Sequence, residues 1–162
     1  VNDHPEGMKA ILESSMQYFD GRRIMHDERE VELLPQGTQQ VFSLPAGKDT
    51  CQDLLFLARL LMGGEELSNT FLYFSPTKNL DLPDPELSWD IREGTGGPVI
   101  IVEARRLARQ VFLEVKGLEG HFSDNFFDMA AGEKRTLTFS GNVNASVLAE
   151  KLTIKSIYDT LE

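Results

Sequence analysis

Asp20-Gly21 stands between two runs of alternating polarity, and no other feature of the chain limits its fold as much. Met8–Phe19 puts Ala10, Leu12, Met16 and Tyr18 on one side and Glu13, Ser15 and Gln17 on the other, the period of a half-buried strand. An Asp-Gly pair at the end of such a run supplies the positive φ angles of a tight hairpin turn. Arg22–Leu34 is therefore read as the returning strand, closed by Pro35-Gln36-Gly37.

The rest of the chain repeats this grammar. Val41–Leu44 is expected to be a short strand before a turn at Pro45-Ala46-Gly47. Leu54–Met62 has the length of a helix and no β-branched residue, but Gly63-Gly64 stops it and the aromatic run Thr70–Ser75 follows closely. We read it as a strand buried on both faces, where alternation is blurred. Pro76, Pro83 and Pro85 then punctuate ten residues without a period, the mark of a linker or inter-domain crossing. Beyond it come Leu87–Ile91, a glycine-rich turn (Gly94, Gly96, Gly97), Val99–Ala104, Val111–Val115, Arg135–Ser140 and Lys151–Tyr158. Short strands with turn signals between them predict an all-β chain of two antiparallel sandwiches in tandem, residues 1–84 and 85–162. No segment carries the βαβ rhythm of a parallel-sheet enzyme.

Charge supports the same seam. Residues 1–84 carry 7 basic and 14 acidic side chains, and residues 85–162 carry 9 and 12. The net charge of −10 argues against nucleic acid and anionic membrane as partners, because both are recognised by clustered Lys and Arg. Cys51 is the single cysteine, so no intrachain disulfide forms. The longest apolar run, Leu54–Met62, is interrupted by Arg59 and falls short of the ~20 residues a membrane-spanning helix needs. VNDHPEG shows no basic stretch followed by an apolar one, so no signal peptide is visible, and the abrupt start at Val1 suits an excised piece of a longer protein.

Residues able to do chemistry are sparse. A retaining glycosidase needs two carboxylates about 5–5.5 Å apart. Asp124 and Asp128 are the best local pair, yet they sit in a corner, His121–Ser140 (HFSDNFFDMAAGEKRTLTFS), where Asp and Asn also serve to bond turn backbone. We therefore read Asp124, Asn125, Asp128 and Gly132 as a structural corner without a catalytic residue. His4, His26 and His121 are far apart and lack a second ligand at metal spacing, and no motif points to a cofactor. Cys51 has no recognisable partner for nucleophilic work, and Gly94, Gly96 and Gly97 lack the Lys-Ser/Thr of a phosphate loop. Trp89, Phe71, Tyr73, Phe126 and Phe127 are the rings a sugar could stack on. Because Phe126 and Phe127 are adjacent, they are expected to point opposite ways, leaving one exposed or covered by another domain. Asn144-Ala-Ser146 matches the N-glycosylation acceptor pattern.

The corner resembles the "FSDNyFdLlPGE" corner near the C-terminus of β-mannosidases of glycoside hydrolase family 2, and other segments extend the likeness. Ala10–Gly21 is similar to the start of the sandwich that follows that family's catalytic barrel. Ser68-Asn69 with Tyr73-Phe74, Pro76 and Lys78 resembles its crossing into the last domain, and Leu107-Ala108 with Val111-Phe112-Leu113 resembles the strand before the corner. Two departures stand out: Ala130-Ala131 replace Leu-Pro, and Phe126 takes a place where Tyr is common. The resemblance implies two immunoglobulin-like domains from a retaining hydrolase of terminal β-D-mannose. Its catalytic glutamates lie on an upstream (β/α)8 barrel, and nothing in residues 1–162 matches the motifs that carry them. The expected partner is that barrel, in the same parent chain. Manno-oligosaccharide binding by an attached carbohydrate-binding module, or an adhesion module with no enzyme, are the alternatives. No metal, cofactor, nucleic acid or membrane is expected, and the parent's setting would be secreted, periplasmic or lysosomal.

Overall fold

Alternation and turn chemistry produce strands almost throughout. The structure, a computed structural model, describes residues 2–43 and 51–161. It is all-β, with three antiparallel sheets. The chain divides into two units, Val1–Tyr18 with Arg22–Asp81, and Phe19–Gly21 with Leu82–Glu162, so the proline-rich segment spans the division.

The first unit holds one four-stranded sheet in the order β2-β1-β3-β4, from β1 (Met8–Tyr18), β2 (Arg23–Leu33), β3 (Leu54–Met62) and β4 (Glu65–Tyr73). The Asp20-Gly21 turn joins β1 to β2, with Gly21 at φ +95° and the Tyr18 amide donating to the Arg22 carbonyl at 2.9 Å. The expected inside–outside assignment of β1 holds for Ala10 and Leu12 but fails for Ser15 and Gln17, which are buried. The reason is position. β1 is flanked by β2 and β3, so it is interior to the sheet, and polarity alone does not mark an exposed face there. Leu54–Met62 is β3, and Leu55, Phe56 and Leu57 are all buried in sequence, which is why its periodicity is blurred.

Val41–Ser43 do not form the expected strand. The segment contributes a side chain instead of a ladder: the Phe42 ring stacks on Phe56 at 5.2 Å, and the Arg29 guanidinium lies over the Phe42 ring at 5.2 Å from its centroid. Leu44 and the turn at Pro45-Ala46-Gly47 lie outside the described residues.

The second unit is a two-sheet sandwich. One sheet runs β5-β6-β10-β8 and the other β11-β7-β9, with β5 (Ser88–Gly94), β6 (Gly97–Glu103), β7 (Ala108–Val115), β8 (His121–Phe122), β9 (Phe127–Met129), β10 (Lys134–Ser140) and β11 (Leu152–Lys155). Ile100, Val102, Leu137 and Phe139 from the first sheet meet Val111, Leu113, Phe127, Met129 and Ile154 from the second. Every second residue of β6, Pro98, Ile100 and Val102, is buried, so the alternation read from sequence is the alternation that packs.

One expectation fails here. Lys151–Tyr158 is not a single strand: helix α1 (Ala145–Lys151) precedes β11, and a 3₁₀ turn, Ile157–Thr160, follows it. The Asn144 side chain caps α1 by accepting from the Val147 amide at 2.9 Å and the Ser146 hydroxyl at 2.8 Å. Leu148 from α1 enters the core fully buried. The Asn-Ala-Ser triplet is therefore a helix start as it stands in this fold.

Phe139 sits at the tightest place in that core. It is fully buried, tilts against Phe122 at 5.0 Å, and a Cβ added to Gly120 or Gly141 would come within 2.5 Å and 2.4 Å of its ring. Phe139→Ala should destabilise the second unit by about 3–5 kcal/mol, most of a small domain's margin. Gly141→Ala should also destabilise it, because the ring has no room to retreat. Thermal unfolding of both variants against the parent chain checks the pair.

Candidate functional site

The residues singled out from the sequence converge only in part. Tyr73 and Phe71 lie on β4 of the first unit, stacked on each other at 6.5 Å. Trp89 is on β5 of the second unit, 43% exposed. The corner residues and Phe126 gather elsewhere in that unit, between β8 and β9. An apolar cavity of about 470 Å³ in the first unit is lined by Leu12, Leu33, Phe42, Phe56 and Leu60 among others, and by none of the expected site residues.

The corner exists because the chain changes sheets there. β8 pairs with β10 in one sheet and β9 with β7 in the other, so the backbone between them leaves one ladder before joining the next. Asn125 fills the gap. Its Oδ1 accepts from the Leu113 amide at 2.8 Å and the Phe126 amide at 3.1 Å, while its Nδ2 donates to the Leu113 carbonyl at 3.0 Å. One side chain thus pairs with a β7 residue as a neighbouring strand would.

The two aspartates have separate duties. Asp124 Oδ1 accepts from the Asn125 amide at 2.7 Å, and its Oδ2 accepts from Arg135 Nη2 at 2.5 Å. The same guanidinium covers the Phe127 ring at 4.2 Å from the centroid. Asp128 Oδ1 accepts from the Gln110 amide at 2.7 Å, at a bulge in β7 where Gln110 takes φ +48°, and its other oxygen stands 4.0 Å from Arg109 Nε. Each carboxylate is bound to different backbone and a different arginine. Arg109, Arg135 and Phe112 were not singled out from the sequence. An outward Phe112 was nonetheless implied by the alternation of Val111 and Leu113.

Gly132 completes a turn. It has φ +77°, the Glu133 amide donates to the Ala130 carbonyl at 3.1 Å, and Ala131 keeps a negative φ, which together define a type II turn. Glu133 Oε2 accepts from the Ala130 amide at 2.8 Å, and the Gly132 amide donates to the Ala104 carbonyl at 2.8 Å. Phe126 and Phe127 do point apart. Phe127 is 7% exposed beneath Arg135, so it offers no free ring face to a sugar, which takes it out of the stacking set. Phe126 is 69% exposed, at φ +60°, with its ring nearly parallel to Phe112 at 5.7 Å.

Nothing else gathers reactive groups. Among the described residues no three His, Cys, Asp or Glu side chains group as metal ligands. Burial, followed by a 3.3 Å hydrogen bond donated to Asp53, pushes the Cys51 thiol up, away from the thiolate a nucleophile needs. No helix of the described residues is long and apolar enough to cross a membrane.

With this geometry in place, comparison with known proteins is informative. A family model described as an Ig-fold domain, Ig_mannosidase, matches residues 82–160. That segment is similar to Ig-fold domains of the mannosidase type. The resemblance drawn from the corner is borne out for the C-terminal unit, as an Ig-like domain of a family 2 glycoside hydrolase. In structure the chain is similar to a β-D-mannosidase from Dictyoglomus thermophilum, with TM-score 0.76 and 19% identity, covering 94% of this chain and 19% of that one. It is also similar to an exo-chitosanase of Amycolatopsis orientalis (TM-score 0.59, 14% identity, 93% of this chain and 23% of that one). Another structure of the same enzyme, CsxA, described as an exo-β-D-glucosaminidase, gives a similar likeness (TM-score 0.58, 14% identity, 94% and 23%). The chain thus spans about a fifth of the length of these structures. No curated protein matches it in sequence.

Two outcomes are expected at the corner. Asn125→Ala strips partners from the Leu113 amide and carbonyl together and should cost about 2–4 kcal/mol, taking about 1–3 kcal/mol for a buried unpaired group as the scale. Asp124→Ala should cost less, about 1 kcal/mol, because its ion pair with Arg135 is half exposed and such pairs are worth little. Denaturant melts that reverse this order would relocate the support from Asn125 to Asp124. Separately, Ala131→Pro places proline where a type II turn favours it and should stabilise the unit by about 0.4–1 kcal/mol; a lowered melting temperature would contradict that turn assignment.

Proposed function

We propose that this chain is the non-catalytic C-terminal accessory portion of a retaining family 2 glycoside hydrolase of the β-mannosidase type. It comprises two units, residues 1–84, built among its described residues on one four-stranded sheet, and residues 85–162, an immunoglobulin-like sandwich, that pack on the catalytic barrel of the same parent and stabilise it. The observation that carries the reading is the match of residues 82–160 to the Ig_mannosidase domain. The corner adds support: Asp124 and Asp128 are each engaged by separate backbone amides and arginines, whereas a glycosidase pair must face one sugar together. The likeness to a β-D-mannosidase over most of this chain fits as well. Because the other similar enzyme, CsxA, is described as an exo-chitosanase and exo-β-D-glucosaminidase, the parent's substrate class is a terminal β-mannoside or β-glucosaminide.

The first test is direct. This chain alone, given aryl β-D-mannoside and aryl β-D-glucosaminide, should release aglycone no faster than buffer, and turnover abolished by Asp124→Ala or Asp128→Ala would overturn the accessory reading. The complementary test is made in the parent. Deleting residues 82–162 should lower its melting temperature and soluble yield while leaving kcat of the folded fraction unchanged. A parent whose melting temperature does not move would remove the stabilising role.

A further inference from the structure

We propose that the outward face of β7 at Phe112 and Phe126 is a binding platform for a pyranose ring. Within the proposed accessory portion, this inference requires that the Phe126 face is not the one that packs on the barrel. Val111 and Leu113 turn into the core, so Phe112 and Glu114 turn out. Lys155 and Thr153 stand directly opposite them on β11, which puts all four side chains on one face of the sheet. On the other side of β7, Asn125 is bonded to the Leu113 backbone and carries Phe126 into line with Phe112, the two rings 5.7 Å apart and within 11° of parallel.

Three features distinguish Phe126 from an incidental surface ring. Among the described residues it is the most exposed large hydrophobic side chain, at 69%. Its backbone takes φ +60°, a conformation bulky side chains rarely adopt and one that concentrates at functional sites. It is also held rigidly, from below by Phe112 and through its own amide by Asn125 Oδ1 at 3.1 Å. The fold therefore fixes an apolar ring in water where a polar residue would be easier to accommodate.

The surroundings decide what such a ring meets. A stable protein interface centres on several apolar anchors over about 600–1,000 Å² per partner. Here the ring pair is bordered by Glu114, Lys155 and Thr153, with Asp124 and Arg135 at the root of the corner. A small apolar surface inside a polar, charged border complements a ligand with one face of C–H groups and a rim of hydroxyls, which describes a hexopyranose. The outer face of Phe126, backed by Phe112, would take the C–H face, and Glu114 and Lys155 would accept from and donate to the rim.

Titration of the intact chain with β-1,4-mannotriose and with cellotriose, followed by aromatic proton NMR and calorimetry, tests this. The expected result is a shift of the Phe126 and Phe112 ring signals with millimolar affinity for at least one of the two sugars. Phe126→Ala should weaken binding about tenfold or more, with far-UV circular dichroism unchanged, and Phe126→Tyr should keep it. Ring signals that stay fixed in both titrations would overturn the proposal. So would binding that survives Phe126→Ala, or a Phe126→Ala effect confined to association with another protein. If Phe126→Ala fails to fold, the ring shifts of the unaltered chain decide the matter.

Discussion

The second unit depends on a side chain doing the work of a strand. A sandwich of two sheets requires the chain to cross from one ladder to the other, and each crossing leaves backbone amides and carbonyls without partners. Between β8 and β9 the crossing takes place within four residues, too few for a loop that could turn those groups to water. Asn125 answers this with an acceptor and a donor on one planar group, placed against the amide and carbonyl of Leu113. Once that pairing is made, Phe127 and Met129 fall into the core and Phe126 is forced outward at positive φ. Aspartate in place of Asn125 would present acceptors alone and leave the Leu113 carbonyl facing oxygen, so the residue type is set by hydrogen-bond polarity as much as by size.

The same logic explains which parts were legible in the sequence. β1 and β2 were readable because Asp20-Gly21 fixes the turn and both flanks alternate. β6 and β10 were readable because each has one wet and one dry face. Of Lys151–Tyr158, read as one strand, only Leu152–Lys155 is extended, because helix α1, capped by Asn144, runs to Lys151 and the chain turns again from Ile157; that cap is a single residue that also spells a glycosylation triplet. β1 misled in a subtler way. Polarity reports burial only where one face of a sheet is open to water, and an interior strand with Ser14, Ser15 and Gln17 buried breaks that rule. For the corner, the residue types were visible but their allocation was not. Asn125 rather than Asp124 holds β7, and this depends on which backbone groups lack a ladder partner, a property of topology that no local pattern encodes.

The turn after β9 shows how the fold absorbs a departure from the β-mannosidase corner it resembles. A type II turn draws stability from proline at its second position and glycine at its third. This chain keeps Gly132 and replaces the proline with Ala131, yet the turn persists because other bonds hold it: Glu133 reaches back to the Ala130 amide while its own amide closes on the Ala130 carbonyl. A side-chain carboxylate and a backbone bond thus substitute for ring rigidity. What is lost is restriction of the unfolded chain, not a contact of the folded one.

These observations also bear on where chemistry resides. Acid–base catalysis needs carboxylates whose environments push them apart in proton affinity while they face a common substrate. In this chain the corner carboxylates are oriented by different backbone amides, Asp124 is paired with Arg135, which also covers the Phe127 ring, and Asp128 lies 4.0 Å from Arg109. The two carboxylates therefore do not face one common substrate position. The exposed and unneutralised feature of the same corner is an aromatic ring, which binds without reacting. The division is physical: polar side chains of the corner are consumed in building the crossing, and the crossing's geometry leaves an apolar surface as what it presents outward.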